Sequence, residues 1–239
     1  MKIGCFIFEI IPQFVDFQLN ITLSSLFDLI LTSSGRNADD NGFGIRDLNR
    51  IGGTWVLSRF AIELEYLPKQ YDKITIETWV EEVHTYNTIR NFRIKNERGE
   101  IIGKAVSVWF MINMKTRRPM EMKLLEGIEK YIVEEPSGIE RPLKLESVNR
   151  IATYGIQAKY SDIDINQHVY AGSYLRWMVD CLPLDFYKTH RLKRFDINFM
   201  NELFFGDEVE AHHMETAEND YRFDITKNEA SVCRGRLKF

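Results

Sequence analysis

Apolar residues at Leu23, Leu26, Phe27, Ile30 and Leu31 recur at i, i+3, i+4, i+7 and i+8, which is one face of an amphipathic helix. The polar, glycine-bearing stretch from Ser33 to Gly53 is expected to end it. Runs rich in β-branched and aromatic residues follow at Trp55–Tyr66, Ile74–His84, Thr88–Lys95 and Ile101–Met114. Each predicts a strand, with Asn96-Glu97-Arg98-Gly99 as the turn between the last two. The apolar start, Ile3 to Phe8, is cut by Glu9 and no small-residue cleavage site follows, so it reads as a first strand rather than a secretion signal.

The same order then recurs. Ala171, Tyr174, Leu175, Met178 and Leu182 have helical spacing, and strands are expected at Arg194–Phe205, Asp207–Glu215, Tyr221–Thr226 and Ser231–Phe239. Leu64–Trp79 lies over Phe199–Met214 at an offset of 135, and Asp16-x-Gln18-x-Asn20 lies over Asp162-x-Asp164-x-Asn166 at 146. Short polar alternations match by chance, but the shared order of elements favours a duplication. Between the halves, Asn113 to Arg150 carries Arg117-Arg118-Pro119, a short helical stretch around Lys123 to Ile132, and Pro136-Ser137-Gly138, and reads as a linker. The expected organisation is α+β: an N-terminal domain over 1–115, a linker over 116–150 and a C-terminal domain over 151–239, each domain a helix packed on an antiparallel sheet.

Composition narrows the class. Of 239 residues 44% are hydrophobic and 28% charged, which excludes a disordered or low-complexity chain. A net charge of -4 gives no general field for nucleic acid, so no nucleic-acid partner is expected. No stretch approaches the roughly 20 apolar residues of a membrane span, so no membrane partner is expected either. Cys5, Cys181 and Cys233 are odd in number and far apart, which suits a reducing, cytoplasmic setting. Exposed sheet edges favour a homodimer.

Candidate chemistry concentrates before the second helix. Tyr160 to Val169 alternates polar and apolar; in an extended chain Ile163, Ile165 and Val169 point one way, and Asp162, Asp164, Asn166 and His168 the other. Two carboxylates, an amide and an imidazole would then meet at a helix N-terminus, whose N–H groups suit a developing oxyanion. Asp-x-Asp-x-Asn also opens a calcium loop, but Gln167 and Ser173 stand where that loop needs Gly and Glu. Residue types alone leave catalysis and helix capping both open. The pair His212-His213 lies on an alternating strand, with one ring expected toward solvent and one toward the sheet, and is a poor chelate for which surface placement is favoured; Gly42-x-Gly44 lacks the rest of a dinucleotide loop, and no Gly-x-Ser-x-Gly is present. Neither metal nor cofactor is expected.

Asp164-Ile165-Asn166-Gln167-His168-Val169, followed by Tyr174 and Trp177, resembles the Asp-x-Asn-x-His signature of the acyl-ACP thioesterases. Leu184 to His190 and the strand leading to Asn201-Glu202 are similar to the segment that brings a glutamate to that family's site, and Trp55 to Trp109 is similar to its N-terminal half. The resemblance implies two tandem hotdog domains, each a long helix packed on an antiparallel β-sheet. It also implies hydrolysis of a fatty acyl phosphopantetheine thioester on acyl carrier protein by Asp164, Asn166, His168 and Glu202. Plant members often carry cysteine after the glutamate; here it is Leu203, which leaves water as nucleophile. At the offsets read above, His168 falls on Thr22 and Glu202 on Leu67, so one site per chain is expected, the first half holding the acyl chain. The basic groups Lys188, Arg191, Lys193 and Arg194, or Lys115, Arg117 and Arg118, are candidates to steer an acidic carrier protein, or are ordinary solvated charge. An acyl-CoA hydrolase and a non-catalytic acyl-binding protein are the rival functions.

Overall fold

Strand-forming runs and two apolar-faced helices assemble into two units, divided between Pro142 and Leu143, in a computed structural model that describes residues 2–149 and 152–239. The first unit contains β1 (Gly4–Glu9), α1 (Leu23–Asp40), α2 (Ile45–Arg50), β2 (Gly53–Leu64), β3 (Lys73–Val83), β4 (Asn87–Lys95) and β5 (Ile101–Asn113). Its strands pair antiparallel in the order β1-β3-β4-β5-β2. Leu26, Phe27 and Ile30 of α1 are buried, and the helix lies on β1 and β3.

Two sequence expectations are corrected here. α1 does not stop near Ser33 but runs to Asp40, and the stretch expected to be loop carries α2 as well. Polar residues prolong the helix because they face inward. Ser33 Oγ donates to Leu29 O at 2.8 Å, and Asn37 Oδ1 accepts from the buried Arg90 guanidinium at 2.8 Å. The expected linker is no free tether either. Its helical stretch is two short 3-10 turns, Met122–Leu124 and Ile128–Tyr131, and Met122, Leu125 and Ile128 are buried with Phe43, Leu48 and Met111. Val133 N–H donates to Val80 O, and Trp79 Nε1 donates to Glu135 O, so the segment is stitched to β3. The boundary expected at 150/151 lies outside the described residues.

The second unit contains β6 (Ala152–Gln157), α3 (Ala171–Val179), α4 (Leu184–Thr189), β7 (Arg194–Phe199), β8 (Glu208–Ala217), β9 (Asp220–Lys227) and β10 (Ala230–Lys238). Its strand order, β6-β8-β9-β10-β7, repeats β1-β3-β4-β5-β2. Register repeats as well: Gly4 opposite Thr78 through Glu9 opposite Lys73 becomes Ala152 opposite His213 through Gln157 opposite Glu208. The edge strand is therefore displaced by 148 and its partner by 135. α3 seats closely on β10 at Gly235, where an added Cβ would lie 2.3 Å from Met178 Sδ. β7 ends at Phe199 rather than continuing to 205, and the loop thus released carries Glu202.

Candidate active site

The segment before α3 is not extended. It opens with a 3-10 turn, Tyr160–Asp162, and then closes on itself: Ile163 bridges to Val169, Asp164 N–H donates to His168 O, and Gln167 takes the left-handed φ of 65°. The expected face of four polar side chains is accordingly divided. Asp162 is buried, its Oδ2 accepting the Lys159 N–H at 2.9 Å and its Oδ1 facing Arg176 at 3.3 Å. Asp164 Oδ1 accepts the N–H groups of Asn166 at 2.8 Å and His168 at 3.1 Å. Both acids thus cap turns, while the N-cap of α3 is Tyr170, which supplies no side-chain cap. Ile165, expected to share a face with Ile163 and Val169, is 89% exposed while Val169 is buried.

That closed turn aims His168 at Glu202. Val169 N–H donates to Leu203 O at 2.7 Å, joining the turn to the loop after β7, and His168 Nε2 lies 3.4 Å from Glu202 Oε2. The far side of the glutamate loop is fastened too. Phe204 N–H donates to Asp207 Oδ2, Gly206 N–H to Ala158 O, and Ala158 N–H to Asp207 O. Burial pushes the Asp207 carboxyl up, but the Lys227 ammonium at 2.7 Å and the Phe204 N–H outweigh it and hold the group below its usual range. The Phe204 ring centroid stands 5.1 Å from that of His168.

Two supports of the pair were not read from sequence: Phe204 beside the imidazole and the Leu203 carbonyl. Tyr174, already part of the resemblance, is buried on α3, and burial keeps its hydroxyl protonated. Sequence carried one signal for the loop, since Asp207 lies in the run matched at offset 135, and Asp72 Oδ2 accepts the Lys69 N–H in the first unit as Asp207 accepts that of Phe204.

The first unit repeats the turn without its chemistry. Asp16 Oδ1 accepts the N–H groups of Gln18 and Asn20, Asp16 N–H donates to Asn20 O, Leu19 has φ 63°, and Ile21 N–H donates to Pro68 O. The turns therefore correspond at 148, not at the expected 146. Asp16 matches Asp164, Gln18 matches Asn166, Leu19 matches Gln167, and Asn20 matches His168, so Thr22 is not the counterpart of the histidine. Pro68 against Leu203 keeps the 135 offset and leaves Leu67 opposite Glu202.

Other thiols and cations stand apart. Cys181 is buried, its Sγ donates to Trp177 O, and burial pushes its thiol up to about 12. Cys233 is fully buried and raised by the same cause. Arg194 leaves the expected surface cluster because it is buried against Asp196 at 2.8 Å. His212, expected at the surface or the sheet, is buried between the hydroxyls of Thr153 and Thr226. Among the described residues no group of three or more His, Cys, Asp or Glu could hold a metal, and no helix is long and apolar enough to cross a membrane.

A carboxylate and an imidazole at this separation, partly open to solvent, can share and relay the protons of one water. Residues 7–131 match the family model of the acyl-ACP thioesterase N-terminal domain and residues 145–239 that of its C-terminal domain. An acyl-ACP thioesterase from Bacteroides thetaiotaomicron is 41% identical in sequence, with a TM-score of 0.94 over 100% of this chain and 98% of its own. A 12:0-ACP thioesterase from Umbellularia californica, 18% identical, shares the fold at a TM-score of 0.88 over 100% of this chain and 97% of its own. The chloroplastic oleoyl-acyl carrier protein thioesterase 2 of Arabidopsis thaliana is 28% identical over 195 residues, 76% of this chain and 53% of the relative. The chain spans about half the length of the curated relatives it matches. The fold is two tandem hotdog units, and with both halves matched to the two domains in order, the chain belongs to the acyl-ACP thioesterase family.

Proposed function

We propose that this protein hydrolyses the thioester between a fatty acyl chain and the phosphopantetheine arm of acyl carrier protein, releasing free fatty acid. The single observation that carries the reading is the 3.4 Å approach of His168 Nε2 to Glu202 Oε2 on two loops tied by the Val169 to Leu203 hydrogen bond. Glu202, with His168, takes a proton from water as its oxygen attacks the thioester carbonyl. Asn166 positions the water or the carbonyl, and Asp164 keeps the turn closed around them. N–H groups in the first turn of α3 face the developing oxyanion, and the thiolate leaves with the proton returned through the same pair. No metal or cofactor takes part.

In this reading the second unit is catalytic and the first, lacking both proton-handling groups, holds the acyl chain. The protein works as a homodimer in the cytoplasm, where Cys5, Cys181 and Cys233 stay free, as they are here. Sedimentation of the purified chain tests the dimer. Mass spectrometry of fatty acid released from acyl-ACP tests the activity. His168→Ala and Glu202→Ala should each lower kcat by about 10² to 10⁴, the usual worth of general acid-base help. Near-full hydrolysis by both variants overturns the assignment.

A further inference from the structure

Beside the catalytic pair the surface is unusually apolar. Tyr160 is 88% exposed, Ile165 89%, Phe205 69% and Phe204 49%, and these four line one open depression with the carboxamides of Asn166 and Gln167. Single exposed apolar residues are ordinary, but several in one concavity mark a binding surface. Both supporting loops are fixed by the backbone bonds of Asp164 and Asp207, so the side chains are displayed by design of the backbone rather than by fraying. The depression is continuous with the chemistry, because Phe204 both lines it and flanks the His168 ring.

The lining chemistry selects the occupant. Among the described residues that line the depression none is Lys or Arg, and the acid present, Asp164, already accepts two N–H groups. A phosphate, an anionic lipid headgroup or the acidic face of a carrier protein finds no counter-charge there. Apolar side chains interleaved with carboxamides instead suit a neutral chain bearing both methyl and amide groups. We infer that this depression cradles the pantetheine arm of the thioester substrate, with Ile165 and Phe205 packing its dimethyl portion and Gln167 hydrogen-bonding an amide. The inference rests on the thioesterase reading above and adds to it the residues that set its preference for a pantetheine-bearing leaving group.

The test compares one acyl chain on N-acetylcysteamine, on pantetheine and on carrier protein, for the wild type and for Ile165→Ser and Phe205→Ser. Both positions are exposed, so the substitutions should leave folding nearly unchanged, which a thermal melt verifies. The expected result is that the kcat/KM preference for the pantetheine thioester over the N-acetylcysteamine thioester falls about tenfold in each variant, through KM rather than kcat. An unchanged preference in both variants overturns the inference. So does a loss seen with acyl-ACP alone, which would assign the depression to the body of the carrier protein. Wild-type binding to phosphatidylcholine vesicles that both variants lose, with the preference intact, would assign it to a lipid surface and overturn it equally. If the wild type hydrolyses none of the three, the thioesterase reading itself falls. Hydrolysis with an unaltered preference sinks only the pantetheine cradle.

Discussion

Asp164 and Asp16 hold the same kind of turn with the same oxygen, yet only one turn ends in an imidazole. Each carboxylate loses two charge-assisted hydrogen bonds on substitution, so Asp16→Ala and Asp164→Ala should both cost about 1–3 kcal/mol of stability. Only Asp164→Ala should lower kcat, by tenfold or more, because only its turn aims a reacting group; urea melts and initial rates on acyl-ACP separate the two effects. The residue types at Asp164, Asn166 and His168 were legible as chemistry, but their directions were not. Strict alternation assumes an extended chain, whereas Gln167 turns it through a left-handed conformation that a glutamine does not announce. A second prediction at this scale concerns Asp220, buried against Arg236 with Nε donating to Oδ1 at 2.8 Å. The Arg236 hydrogen bonds hold the Asp220 carboxyl below its usual 3.8. A depressed carboxylate stabilises the fold above its unfolded pKa and loses that contribution as pH falls through the folded value. Asp220→Asn should therefore be less stable than wild type at pH 7 by about 1–3 kcal/mol. The gap should close as the melts are taken below about pH 4.

Among the elements, most of the strands read from sequence were legible to within a residue or two because alternation and β-branching are local signals, as for β3 and β4, whereas β6 was not read at all. Two ends were not legible either. α1 continues through Ser33, Ser34 and Asn37 because a buried polar cluster, not an apolar stripe, covers its last turns. Hydropathy cannot distinguish such residues from loop; Ser33 bonds back to Leu29 O of its own helix, and Asn37 meets Arg90 arriving from β4, 53 residues away. Asn37→Ala removes the 2.8 Å acceptor of a guanidinium that burial already pushes down to about 9 and leaves Thr78 at 3.2 Å as its remaining hydrogen-bond acceptor in that cluster. The expected outcome is a loss of about 1–3 kcal/mol in urea denaturation, the penalty for under-satisfying a buried charged donor. The end of β7 is the other case. Val232 O accepts the N–H groups of both Met200 and Asn201, at the residue where β10 shifts register against β9 between Ser231 and Cys233. A bulge of this kind stops the pairing and turns the chain out of the sheet, which frees Glu202 for the site.

Across the whole molecule, one topology is used twice, and the second copy carries the His168–Glu202 pair where the first has Asn20 and Leu67. The duplication was legible from the offset of 135, which the paired hydrogen bonds of Asp72 and Asp207 reproduce. The upstream offset was misread by two residues because Asp-x-polar-x-polar matches itself at any even shift. Backbone hydrogen bonds break that degeneracy and set Asn20 against His168. The offset of 148 supplies a control that an offset of 146 would spoil. His168→Asn with Glu202→Leu copies the first unit's Asn20 and Leu67 into the second. The first unit demonstrates that the same turn, with the same Val169-to-Leu203 type of tie, closes around those residues. The double variant should therefore keep its melting temperature within a few degrees while hydrolysis of acyl-ACP falls by about 10² to 10⁴. Its loss should match that of the stronger single variant rather than the product of both, since groups that act as one unit are not additive. A double variant that folds normally and retains most of its turnover would mean that the first unit's residues suffice for catalysis, and would overturn the reading of one site per chain.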